Sequence, residues 1–86
     1  MKIATPAYDS TVSGIVSIQT QDISQVRWES VFIDGNHIAT LGSLLPYTLS
    51  WDSTTVANGQ HTISVIAYNA NHTQIGADLV TVSVNN

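Results

Sequence analysis

Apolar and polar residues alternate one by one along most of this chain. Val12, Gly14, Val16 and Ile18 interleave with Ser13, Ile15, Ser17 and Gln19. Tyr47, Leu49 and Trp51 interleave with Thr48, Ser50 and Asp52, and Ile63, Val65 and Ala67 with Thr62, Ser64, Ile66 and Tyr68. Near the end, Val80, Val82 and Val84 alternate with Leu79, Thr81 and Ser83. A period of two puts one face of a strand in a core and the other outside, and no segment shows the 3.6-residue period of a helix. Val31 and Ile33 run into Asp34-Gly35-Asn36, a tight-turn signal, with His37 to Leu41 as the returning strand. Asn58-Gly59 is a second turn signal, Ser53 to Gln60 reads as a loop crossing between sheets, and Asn69 to Thr73 is a polar bend. Pro6 suits an edge strand or leading loop, and Pro46 starts the Tyr47 strand, where a missing N–H is tolerated. Six or seven short strands at this spacing predict an all-β antiparallel sandwich or small barrel.

One place breaks the alternation. Val26 and Trp28 share one face of a strand, and Val31 and Ile33 share the other. Either a β-bulge near Glu29-Ser30 resets the phase, or Trp28 faces solvent while Arg27 and Glu29 share the face of Val31. The bulge is the preferred reading, because exposing a Trp or burying two charges each carries a cost.

Composition narrows the function. Of 86 residues, only 9% are charged, with Lys2 and Arg27 the only lysine and arginine and a net charge of −4. Two cations cannot neutralise a row of phosphates, so nucleic-acid binding is not expected. No apolar run approaches the roughly 20 residues of a membrane helix, so membrane insertion is not expected. The absence of cysteine removes disulfides, thiolate metal sites and a cysteine nucleophile. Val, Ile and Thr make up 28 residues, which separates the chain from disordered polar sequences and fits a pleated, half-buried surface. The neutral, hydroxyl-rich remainder is common in extracellular modules. The start Met1-Lys2-Ile3 has no apolar stretch like a signal-peptide core.

The order Asp34-Gly35, then Pro46-Tyr47-Thr48-Leu49-Ser50-Trp51-Asp52-Ser53-Thr54, then Asn58-Gly59-Gln60-His61-Thr62-Ile63 and Ala67-Tyr68-Asn69 resembles bacterial Ig-like modules. Such modules are appended to secreted glycoside hydrolases, chitinases and subtilisin-type proteases, or strung in tandem in surface adhesins. The resemblance runs over essentially the whole chain, residues 1–86. It implies one seven-stranded Greek-key sandwich with no catalysis of its own, which spaces, stabilises or docks a neighbouring domain at the cell surface or outside the cell. Trp28-Glu29, Ile66 and Asn69 depart from the family pattern, and Asn71-His72-Thr73 replaces its usual Gly-Asn turn. The last two departures weigh against a calcium role for that loop.

The chemistry-bearing residues read mostly as structure. Trp51 belongs to the core by alternation, with Asp52 capping the turn that follows. Tyr47 packs on the same face, Gly35 and Gly59 serve the turns, and His61 anchors the crossing loop through a side-chain hydrogen bond. No Gly-x-Ser-x-Gly elbow is present, and a small sandwich leaves little room for a deep pocket, so no enzyme activity is expected. His37, His61 and His72 have no ligand-like spacing, and Asp9, Asp34, Asp52 and Asp78 are scattered singly. No cofactor is expected; the one metal arrangement left open is calcium shared across a domain junction. A Lys2–Asn85 isopeptide beside a buried Glu29 is a further covalent option. Asn71-His72-Thr73 is a sequon on a turn.

The outward-facing apolar residues Ile15, Ile66, Leu79 and Tyr68, with Trp28 if no bulge forms, are the candidate contact residues. As one patch they would dock a neighbouring domain or another copy of the chain, as in a self-assembling surface or filament subunit. As exposed aromatics, Trp28 and Tyr68 would instead stack on a polysaccharide, making the chain a carbohydrate-binding module.

Overall fold

The computed structural model describes residues 2–21, 25–42 and 48–86. In chain order the strands are β1 (Lys2–Thr5), β2 (Thr11–Val12), β3 (Ile15–Gln21), β4 (Trp28–Ile33), β5 (Asn36–Leu41), β6 (Thr48–Asp52), β7 (Gly59–Tyr68) and β8 (Gln74–Val84). They form an Ig-like sandwich of two sheets, one ordered β1-β3-β6 and the other β2-β8-β7-β4-β5. All pairings are antiparallel except β2 with β8, which is parallel.

The alternation sorts residues as expected. Val16 and Ile18 of β3 and Trp51 of β6 meet Val31, Ile33, Ile63, Val65, Val80, Val82 and Val84 from the facing sheet. Each side chain of this size removed from water contributes about 1.5–3 kcal/mol. The β4–β5 hairpin turns on Asp34 and Gly35, with φ of 52° and 82°. Positive φ at both central residues gives the twist that matches the flanking strands, and glycine adopts it freely.

Three expectations need correction. The run Val12–Ile18 is not one strand. Val12 pairs with Val84 in the larger sheet, and Ile15 opens β3 in the smaller one. Gly14, at φ 59°, makes the switch between sheets.

The β4 strand carries no bulge beside Glu29. It pairs with β7 residue for residue from Trp28↔Tyr68 to Ile33↔Ile63. The irregularity in the hairpin falls on β5, where Ile38 is the extra residue between Ala39 and His37. Trp28 therefore lies on the outer face, and Glu29 is fully buried beside Val31. The Thr20 hydroxyl, 2.8 and 3.0 Å from the two carboxylate oxygens, offsets the cost that favoured a bulge.

Lys2 and Asn85 cannot form an isopeptide. Lys2 pairs with Gln21 at one end of β3, whereas the Asn85 amide donates to the Val12 carbonyl beyond the other end. The seven residues of β3 alone extend over roughly 23 Å. Tyr47 and Pro46 lie outside the described residues.

Candidate functional site: the outer face of the large sheet

On the outer face of the five-stranded sheet, the register sets residues side by side. Trp28 lies opposite Tyr68, Ser30 opposite both Thr40 and Ile66, and Phe32 opposite both His37 and Ser64. Ile66 in turn lies opposite Ala77, and Ser64 opposite Leu79. An open groove of about 300 Å³ runs between Trp28, Ser30, Thr40, Tyr68 and His72.

Trp28 is half-buried because its ring is walled in. The His72 imidazole stacks on the indole with centroids 4.5 Å apart and planes 8° from parallel. The Arg27 guanidinium carbon lies 5.0 Å from the ring centroid, and its Nη1 donates to the Gly42 carbonyl. Gly42 permits this approach: a Cβ there would stand 2.7 Å from Trp28 Cδ1. His72 is delivered by a closely tied bend. The Asn69 side-chain oxygen accepts the amides of Asn71 and Thr73, and the His72 amide donates to the Asn69 carbonyl. His72 itself sits at φ 62°, a left-handed conformation that costs a side-chain-bearing residue energy.

Beside this wall runs a row of polar groups. Ser30 Oγ and Thr40 Oγ1 are 3.4 Å apart, and Thr40 Oγ1 is 2.8 Å from His37 Nε2. The His37 ring meets Phe32 edge to face. None of the five groove-lining side chains is a carboxylate, lysine or arginine.

The candidate contact residues do not form one patch. Trp28, Tyr68, Ile66 and Leu79 share the outer face of the large sheet, with Leu79 54% exposed. Ile15, 68% exposed, is in the small sheet and faces away from the other four. A single docking face containing all five is excluded. Ser30, Thr40 and His72 were not singled out as contacts in the sequence. The first two look like ordinary strand residues, and the 44-residue separation of Trp28 and His72 leaves no local signal.

The remaining polar residues tie the two sheets and the crossing loop together. His61 reaches the Ala57 carbonyl with Nε2 at 2.7 Å and the Asp34 carboxylate with Nδ1. A carbonyl only accepts, so Nε2 carries a proton; the carboxylate calls for one on Nδ1 as well. The hydrogen bonds to Asp34 and Ala57 and the charge of Asp34 raise the His61 pKa against the opposing effect of burial. For Asp34, burial pushes the carboxyl up, but this is outweighed by the hydrogen bonds from His61 and the Thr62 amide and by the His61 charge, so it titrates below its ordinary value. Asp52 accepts the hydroxyl and amide of Thr54, which lowers its pKa and closes the short 3-10 turn at Ser53–Thr55. Trp51 is buried. Gly35 is in the hairpin turn, and Gly59, at φ 130°, opens β7.

At the end of the sandwich beside Gly14, Asn86 is held on every side. Its amide donates to the Asn58 side chain, its carbonyl accepts from that side chain, and its own side chain accepts from the Gly14 amide and donates to the Ser53 carbonyl. Among the described residues, no three His, Asp or Glu side chains come together as a metal site. No helix there is long and apolar enough to cross a membrane.

Comparison with known proteins agrees with this geometry. The family described as a bacterial Ig domain matches residues 1–65. Among solved structures, the fibronectin(III)-like modules of Clostridium thermocellum CbhA superpose with a TM-score of 0.78 at 26% identity, covering 98% of this chain and 94% of that one. The endo-beta-1,4-mannanase of Thermotoga petrophila contains a similar fold, with a TM-score of 0.76 at 14% identity. That match covers 99% of this chain and 19% of the mannanase. No curated protein matches the chain.

Proposed function

Because the chain belongs to the bacterial Ig domain family, we propose that it is a non-catalytic accessory module. It works outside the cell as an in-line spacer between neighbouring domains of a larger protein. The observation that carries this reading is the placement of the two ends. Lys2 sits at the Gln21 end of β3, and Asn86 is bonded to Gly14 beyond the Ile15 end. The Ile3 amide bonds to Asp78, partway along β8, so a chain arriving at one end of β3 and leaving beyond the other adds about the length of that strand, roughly 23 Å, to the distance between its neighbours. The Asn86 clasp fixes the direction in which the chain departs. The mannanase match, which covers 19% of that chain, shows this fold as one part of a longer protein.

The test attaches spin labels at the exposed residues Ala4 and Asn85, as A4C and N85C, and measures their separation by pulsed dipolar spectroscopy. A narrow distribution close to the length of β3, roughly 23 Å, supports the spacer. A short or broad distribution overturns it. The same preparation is assayed against polysaccharides and casein, where turnover would overturn the non-catalytic assignment.

A further inference from the structure

We propose that the groove between Trp28, Ser30, Thr40, Tyr68 and His72 is a binding site for a short stretch of a neutral glycan. The ligand chemistry follows from the lining. A pyranose has faces of C–H groups and a rim of hydroxyls that both donate and accept. The groove offers the matching set: aromatic surface from Tyr68 and the exposed His72 ring held on Trp28, and hydroxyls from Ser30, Thr40 and Tyr68, each able to donate or accept. Its volume of about 300 Å³ lies at the lower end of the range of small-molecule sites, about 300–1,000 Å³.

Other occupants fit less well. An anionic sugar or phosphate would meet no lysine or arginine among the five lining residues, and the nearby Arg27 guanidinium already lies over Trp28 and donates to the Gly42 carbonyl. An extended peptide gains most of its affinity from main-chain hydrogen bonds at a sheet edge. Here the floor is β4, whose backbone is already paired with β5 and β7.

The wall is also pre-organised. The Asn69 side chain and the left-handed backbone at His72 hold the imidazole on the indole, and the missing Cβ of Gly42 lets Trp28 sit where it does. An aromatic surface fixed before binding loses little freedom on contact, which is how weak stacking becomes usable affinity.

The test is a titration of the isotope-labelled chain with cellohexaose, mannohexaose and xylohexaose, followed by proton–nitrogen correlation spectra. Expected is a saturable shift of the Trp28 indole N–H and of the Ser30, Thr40, Tyr68 and His72 amides with at least one of the three. The buried Trp51 indole should stay in place and serve as an internal control. Tyr68→Phe and Thr40→Val, which keep ring and branch, should each weaken that binding about five- to tenfold with the rest of the spectrum unchanged. A galacturonic acid oligomer and a neutral hexapeptide should leave the groove resonances unmoved. The proposal is overturned if none of the three sugars gives a saturable shift, if the shifts fall outside the groove, if both variants bind as the parent does, or if the acidic oligomer or the peptide binds instead. The distance measurement on the module's two ends is independent of these outcomes.

Discussion

Thr20 of the small sheet donates its hydroxyl to the carboxylate of Glu29, which the large sheet buries completely. The contact crosses the interior of the sandwich, so it ties the two sheets by a directional bond within an otherwise apolar layer. Removing the hydroxyl takes a hydrogen bond from a desolvated carboxylate. Thr20→Val should cost about 1–3 kcal/mol, and Thr20→Ser distinctly less, as read from urea unfolding midpoints at unchanged slope. Equal losses in the two variants would mean that the methyl group, not the hydroxyl, matters at this position.

The Asp34–His61 pair predicts a stability profile limited on both sides. The folded pKa of His61 is raised, so its contribution is complete below the unfolded value of about 6.5 and fades as pH rises through the folded value. The folded pKa of Asp34 is lowered, so its contribution is complete above about 3.9 and fades as pH falls through the folded value. Stability should peak between these limits. His61→Gln should flatten the alkaline limb and cost about 1 kcal/mol at pH 5.5, with less effect at pH 9. Denaturant titrations across the pH range check both limbs; an alkaline limb that survives in the variant would assign it to another group.

Asn86 predicts an outsized effect for an exposed residue beyond the last strand. Deleting it removes the partners of Asn58 and of the Gly14 amide at once. A loss of about 1–2 kcal/mol is expected, with faster hydrogen exchange at Gly14. An exposed residue without such contacts would show neither.

Gly42→Ala should disturb the outer face while sparing the core. The new methyl would stand 2.7 Å from Trp28 Cδ1, so the indole must move. The expected readouts are a red-shifted Trp28 emission and loss of the ring-current shift on His72, with the Trp51 environment unchanged. Retention of the His72 shift would show that the bend can follow the ring.

The two-residue period is a property of each strand alone, and so the sandwich, the inward residues and the Asp34-Gly35 turn could be read from the sequence. What could not be read depends on contacts between distant segments. A buried Glu29 reads as a cost from the sequence because Thr20, which bonds to it, belongs to another sheet. Trp28 was rightly seen to disrupt the pattern, but its partner His72 lies on a bend that announced itself only as polar. Ile15 and Leu79 each read as outward, while nothing local says that they face away from each other. The parallel pairing of β2 was invisible because Thr11-Val12 continues smoothly into the next strand except for one glycine.

That short parallel pairing sets how the module responds to tension. Pulled by its ends, β2 is drawn toward the amino terminus and β8 toward the carboxyl terminus. Because the two strands run in the same direction, these forces slide one along the other. The bonds from Asp9 to Thr81, Ser83 to Ser10 and Asn85 to Val12 then share the load and must rupture together, rather than open one after another like a zip. Two residues of strand thus act as the module's mechanical lock.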